Sequence, residues 1–265
     1  MTEAEYRASE GISRSELWRI RESPEKFRWY REHPEEPTPA LIFGAAVHKM
    51  LLEPEDFGTE FAVAPVCDRR TKDGKEAYNA FLTAAEGKAI ITAEDYAKAA
   101  EMIQAALEAP FVAKLLRGEH ELPFFWEDDL TGEPCKARVD CLTEISGKSV
   151  IVDYKTTADA STESFMRSVI NYGYDFQAAM YCEGVERVTG KKPTFVFIAQ
   201  EKAAPYAVNI LQADELVIKR GYDIFRELLG IYHECRQSDR WWGYLGPYET
   251  INNLGLPAWL AKEIE

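Results

Sequence analysis

PCKARVDCLTEISGKSVIVDYKTT, residues 134–157, alternates and then turns uniformly apolar. Cys135, Ala137, Val139 and Cys141 fall on one face of an extended segment, and Lys136, Arg138 and Asp140 on the other. That is the period of a half-buried strand. Ser146-Gly147-Lys148 is a turn, and Ser149 to Lys155 reads as a strand buried on both faces, polar only at its end. Upstream, Leu122 to Glu127 is an aromatic-rich strand, followed by a turn at Asp129-Leu130-Thr131-Gly132. The three segments form an antiparallel meander.

Outward from the meander the period becomes helical. Ser13 and Glu16 have capping-box spacing ahead of Leu17, and a helix there ends before Ser23-Pro24, with a further turn carrying Phe27, Trp29 and Tyr30. Ala40 to Glu53 is a mostly apolar helix halted by Pro54, and 73–86 and 92–108 are further helical patterns. After the meander come helices near 160–170 and 174–189, strands at Thr194 to Gln200 and Tyr206 to Leu211, and a long helix over 213–236. The expected fold is α/β (α+β), a mixed central β-sheet flanked by helices. One domain over 1–265 is expected, with a helical N-terminal portion to about residue 118, a core over 119–236 and an aromatic-rich tail over 237–265. The tail residues Trp241, Trp242, Tyr244, Tyr248 and Trp259 read as a cap on the core.

Composition bounds the function. Apolar residues are 46% and charged residues 29%, which excludes wholesale disorder. No apolar run approaches the roughly 18 residues of a membrane span, and the start, MTEAEYRASEG, does not read as a secretory signal. Five scattered cysteines fit reduced thiols in a cytoplasm better than a disulfide framework. A net charge of −14 argues against a passive nucleic-acid coat, though an enzyme with a locally basic cleft and bound cations remains compatible.

The chemistry concentrates at the strand ends. Asp153 and Lys155 are two apart and share a face, and the turn can bring Asp140 beside Asp153. Two converging carboxylates repel, and a divalent cation with oxygen ligands, magnesium or manganese, relieves the repulsion. Lys155 could then position a water or neutralise an oxyanion, which is what metal-assisted phosphodiester hydrolysis requires. A structural ion pair between Asp153 and Lys155 is the plainer alternative. His48, on the Ala40 to Glu53 helix, is either a satisfied core histidine or a third ligand, with Gly44 one turn earlier permitting close backbone approach. Glu121 is either a further acid or a solvated charge flanking a strand. Gln177 and Tyr181, at i and i+4, are either a polar helix edge or an amide and a phenol serving the scissile phosphate.

Five elements in order, Ile12-Ser13-x-Ser15-x-Leu17 with Ser23-Pro24, Phe43-Gly44-x-x-x-His48, Lys136-x-Arg138-x-Asp140, Asp153-Tyr154-Lys155-Thr156-Thr157 and Gln177-x-x-x-Tyr181, resemble the PD-(D/E)xK nuclease superfamily. More narrowly the chain resembles exonuclease VIII (RecE)-type phage and prophage recombination nucleases. That resemblance implies a restriction-endonuclease-like core and magnesium-dependent 5′-to-3′ digestion of duplex DNA from free ends, leaving a 3′ overhang for a single-strand annealing protein. It implies metal binding by His48, Asp140, Asp153 and the Tyr154 carbonyl, action of Lys155 on the attacking water, and supporting roles for Gln177 and Tyr181. Ring tetramers occur in the family. No iron–sulfur cluster is expected, because Arg21, Glu22 and Ser23 stand where a cysteine is needed and only Cys235 lies late. The Asp-x-Lys spacing at Asp153 replaces the more common Glu and keeps the carboxylate.

Rival expectations are a structure-specific endonuclease on the same core, a non-catalytic DNA-binding component of a recombination complex, and a phosphohydrolase of free nucleotides. Arg14, Arg19, Arg21, Lys26, Arg28, Arg69, Arg70, Lys72, Lys136 and Arg138 are the candidate DNA-path cations.

Overall fold

The meander appears as expected and is the spine of the molecule. A computed structural model describes Met1 and residues 3–256. The N-terminal third holds α1 (Glu3–Ala8), β1 (Ile12–Ser13), α2 (Arg14–Ile20), α3 (Pro24–Glu32), α4 (Pro39–Leu52) and α5 (Phe57–Glu60). It continues through β2 (Phe61–Val63), α6 (Lys72–Ala84), β3 (Ala89–Ile91), α7 (Ala93–Glu108) and α8 (Pro110–Leu115). Then come β4 (Glu119–Glu127), β5 (Pro134–Ile145), β6 (Lys148–Thr157), α9 (Thr162–Tyr172), α10 (Tyr174–Thr189), β7 (Thr194–Glu201), β8 (Val208–Gln212) and α11 (Glu215–Ser238).

The capping box forms as read: the Ser13 hydroxyl accepts the Glu16 N–H, and the Glu16 carboxylate takes the Ser13 N–H at 2.9 Å. Ser13 is also the end of a two-residue strand, since Ile12 and Ser13 pair in parallel with Cys135 and Lys136. β4 pairs antiparallel along β5, β6 pairs antiparallel with β5 and parallel with β7, and β8 closes the sheet antiparallel to β7. The sheet is therefore mixed, as expected. A small parallel pair of β2 and β3 stands apart.

A strand has two edges. β4 occupies one edge of β5, so β1 and β6 share the other: β1 at Cys135 and Lys136, β6 from Cys141 onward. Between these contacts β5 and β6 part. Asp153 to Thr157 remain paired only to β7. Two apolar layers cover the sheet. Val150, Val152, Tyr154, Val196 and Ile198 pack with α4, α7 and α8 on one face. Ile151, Phe195 and Phe197 pack with α9 and α10 on the other, joined by a cluster between α10, α11 and α2.

One expectation about β5 fails. Cys141 does not share a face with Val139, for it packs among Val150 and Val152 while Val139 packs among Ile151 and Phe197. The reversal occurs at Asp140, opposite Glu121, whose φ is 51°. A left-handed residue inside a strand breaks the two-residue alternation. Gly44 also differs from its reading: no atom lies within 4 Å of where its Cβ would be, so it serves open cleft rather than a close backbone crossing.

The described tail caps the core at Trp241 and Trp242 alone; Tyr244 and Tyr248, read as part of the cap, stand 67% and 86% exposed. Trp241 stacks on Phe27 at 5.4 Å, and the Trp242 carbonyl accepts the Glu25 N–H at 3.1 Å. Trp259 lies outside the described residues.

Candidate metal and active site

The fork between β5 and β6 brings the two faces of the sheet into contact. Where the backbones separate, the Tyr154 N–H loses a β5 partner and is taken by the Asp140 carboxylate at 2.9 Å. In an extended strand the N–H and C=O of one residue share an edge, so the Tyr154 carbonyl is directed to the same gap. The same Asp140 oxygen, Oδ2, lies 2.7 Å from His48 Nε2, and His48 Nδ1 lies 3.2 Å from Glu121 Oε1. α4 thus delivers His48 to the gap from one face.

α10 delivers Gln177 from the other. Its Nε2 donates to Asp153 Oδ1 at 2.6 Å, and Lys155 Nζ sits 2.6 Å from Asp153 Oδ2. That second oxygen is buried and has an ion contact without hydrogen-bond geometry. Asp153 and Lys155 share a face as the period predicted. Tyr181 lines the cleft beside Gln177, and burial pushes its phenol well above the usual range.

Ligating atoms of His48, Glu121 and Asp140 all lie within 4.8 Å of one another. Asp153 is outside that triad, engaged by Lys155 and Gln177. Glu121 is not a solvated flanking charge: its side chain is only 10% exposed and also takes Arg138 Nε at 2.7 Å. Its φ of 51° turns the carboxylate toward His48 and Arg138. A strained residue of this kind at a polar cluster points to function.

The electrostatics are those of crowded carboxylates seeking positive charge. Burial lowers the His48 pKa, but Asp140 and Glu121 outweigh it and carry it up to about 10. Burial raises Asp140, yet His48 and Lys155 bring it down to about 2. Asp153, more buried than Asp140 or Glu121, is pushed up to about 6 by desolvation first and by Asp140. Burial acts to lower Lys155, and its two aspartate neighbours nevertheless hold it above the ordinary lysine value. The residues fit a divalent cation: an imidazole, several carboxylates, a backbone carbonyl and a buried carboxylate oxygen lacking a directed hydrogen bond form a hard, oxygen-rich donor set. A cation would replace the proton that His48 otherwise retains.

The cleft over this site reconciles the acidic chain with an anionic ligand. Its N-terminal side is lined by Arg7, Arg14, Arg19, Arg31, Lys136 and Arg138 against Glu3, Glu16, Glu121 and Asp140, six cations to four acids. Arg7 and Arg31 went unread in the sequence. Of the sequence-predicted cations, Lys26, Arg28, Arg70 and Lys72 are instead paired with nearby acids outside this cleft. Lys136, only 4% exposed, caps the carbonyls of Tyr6, Arg7 and Ser9, fixing α1 against β5.

Fold and site together define a PDDEXK-like protein. The chain belongs to the family described as PDDEXK-like domain of unknown function (DUF3799), whose pattern matches residues 13–253. Among solved structures it is similar to a "Putative exonuclease" from Eubacterium rectale, at TM-score 0.65 and 16% identity, over 97% of this chain and 96% of that one. That likeness establishes the fold. SSO0001 aligns at TM-score 0.30 and 17% identity over 69% of this chain and 85% of that one, too remote to inform the comparison. No curated protein matches the chain.

Proposed function

We propose that the chain is a divalent-metal-dependent deoxyribonuclease that degrades duplex DNA from free ends, in the 5′-to-3′ direction. The observation that carries this reading is the convergence of His48, Glu121 and Asp140 at the strand fork, next to the Asp153–Lys155 pair and under a cleft richer in cations than in acids. Family membership and likeness to a structure described as a putative exonuclease support it.

His48, Glu121, Asp140, Asp153 and the Tyr154 carbonyl would hold magnesium or manganese. When bound, the cation supplies charge neutralisation for the scissile phosphate and its departing oxygen. Lys155, held at Asp153, orients the attacking water and offsets negative charge at phosphorus. Gln177 fixes Asp153 through Oδ1, leaving the other carboxylate oxygen toward Lys155. Arg138 neutralises Glu121 and stands at the cleft wall where phosphates pass. Because α4, β4, β5, β6 and α10 all contribute, the helical N-terminal portion and the core act as one catalytic unit. A 3′ overhang produced this way would feed a single-strand annealing protein in a bacterial or phage-infected cytoplasm, and assembly into a ring fits the resemblance to RecE-type enzymes.

The test is a linear duplex labelled at either the 5′ or the 3′ end, incubated with magnesium or with EDTA beside a covalently closed circle. Magnesium-dependent mononucleotide release from the 5′-labelled end, with the circle untouched, is expected. Cleavage of the circle would establish the endonuclease instead, and turnover of free nucleotides alone would overturn the DNA reading.

A further inference from the structure

Past Lys155 lies a smaller cavity of about 190 Å³. Thr156 and Tyr174 line both it and the cleft, so the two are neighbours at the end of β6. The second cavity has a different chemistry from the metal site. Thr157, Ser164 and Ser168 give it hydroxyl-bearing walls, and Lys202 brings an ammonium that no carboxylate pairs with among the described residues. Its acid, Asp159, has its carboxylate turned onto the Ser161 N–H at 2.8 Å. At its rim stands Tyr172, 58% exposed, its ring 5.7 Å from that of Tyr174.

The exposure of Tyr172 is built into a rigid turn. Gly173 between the two tyrosines has φ +65°, and a Cβ there would lie 2.3 Å from the Trp18 ring, so no larger residue fits. Arg14 donates to the carbonyls of both Tyr172 and Gly173. Tyr174 is braced by Phe165 and Phe197 at 6.1 and 6.2 Å. The backbone is thus fixed from α2 while one aromatic ring is left in solvent beside hydroxyls and a free ammonium. An aromatic face with such a donor is the equipment for one nucleotide unit, the ring stacking on the base and the Lys202 ammonium meeting phosphate, while the Thr157 hydroxyl is already spent on the Asp159 carbonyl at 3.1 Å. The volume is below the roughly 300–1,000 Å³ that drug-sized ligands fill, so it takes the phosphate end of one unit and leaves the base at the open rim against Tyr172, and it excludes a duplex.

We infer that this cavity binds an unpaired nucleotide of the DNA strand next to the scissile position, with Tyr172 as its stacking surface and Lys202 as its phosphate contact. The inference rests on the nuclease reading and extends it: the strand at the site is held single beyond Lys155.

The experiment is fluorescence anisotropy of a labelled single-stranded oligothymidylate with the full chain in EDTA, where no cutting occurs, titrated against salt. Tyr172→Ala is expected to weaken binding about 5- to 150-fold, the range for losing one stacked base, while Tyr172→Phe binds as wild type. Lys202→Ala is expected to lower the slope of log affinity against log salt by about 0.7, one single-strand phosphate contact. An abasic oligonucleotide should bind wild type more weakly and be indifferent to Tyr172→Ala. Unchanged affinity in Tyr172→Ala, with wild type still binding and cutting DNA, overturns this inference and leaves the nuclease reading standing. Equal Tyr172-dependent affinity for free thymidine monophosphate makes the cavity a mononucleotide site and overturns it too. A wild type that neither binds nor cuts DNA overturns both.

Discussion

Asp140 reaches across the fork between β5 and β6 to accept the Tyr154 N–H at 2.9 Å, a backbone donor that β5 no longer pairs. The same oxygen holds His48 Nε2 at 2.7 Å. One carboxylate therefore satisfies the split in the sheet and anchors the candidate ligand cluster, so the opening of the sheet and the formation of the site are one structural event.

Asp140→Asn separates these roles. The amide oxygen can still accept from Tyr154, so the fold should persist with its melting temperature lowered by a few degrees. The lost charge should reduce magnesium-dependent cleavage by at least about 100-fold, as removal of one electrostatic stabiliser does. Asp140→Ala also leaves the Tyr154 N–H without its acceptor while His48 keeps Glu121, and the melting curve should report roughly 1–3 kcal/mol of destabilisation. Equal activity of Asp140→Asn and wild type would remove Asp140 from the chemistry.

Metal binding should release protons and strengthen with pH. His48 must lose a proton held up to about 10, and Asp153 one held up to about 6. Calorimetric titration with manganese in buffers of different ionisation enthalpy should show net proton release and an affinity that climbs from pH 6 to 9. Without metal the trend runs the other way. A folded-state pKa above the unfolded value contributes stability in full below about 6.5, and this is lost as pH rises toward about 10. Metal-free melting temperatures should decline across that window, and His48→Gln should flatten the decline.

Gly44→Ala distinguishes open cleft from packing. The site is a helix interior with nothing within 4 Å of the added methyl. The substitution should stabilise the protein by about 0.5–1 kcal/mol in chemical denaturation. A large destabilisation would mean that an element crosses there after all.

Arg31→Ala, which removes a cation of the cleft wall and none of the candidate ligands, is expected to weaken duplex binding in calcium or EDTA. The slope of log affinity against log salt should fall by about 0.9 for one lost phosphate contact. Arg70→Ala, a cation already paired with Asp68 at 3.0 Å, should leave binding unchanged.

Much of this was legible in the residues because it depends on local rules. Strand period placed Asp153 and Lys155 on one face, and the Ser13/Glu16 spacing gave the cap. What the sequence hid was set by tertiary context. Nothing in His120-Glu121-Leu122 announces a left-handed residue, yet one stands there opposite Asp140, where β5 reverses and Cys141 passes to the opposite layer. A two-residue strand such as Ile12–Ser13 has no periodicity to read. Arg7 and Arg31 reach the cleft only because α1 and α3 fold over it. Their signal, a cation on a short helix next to a Gly or Pro break, is too common to select them.

One cation is expected to bind among His48, Glu121, Asp140 and Asp153. Crystals soaked in manganese, measured for anomalous scattering, test it most directly. A single strong peak within coordination distance of His48 and Asp140, lost in Asp140→Asn, is expected. A manganese ion elsewhere on a protein that still cuts DNA, or DNA cleavage undiminished in EDTA, would contradict it.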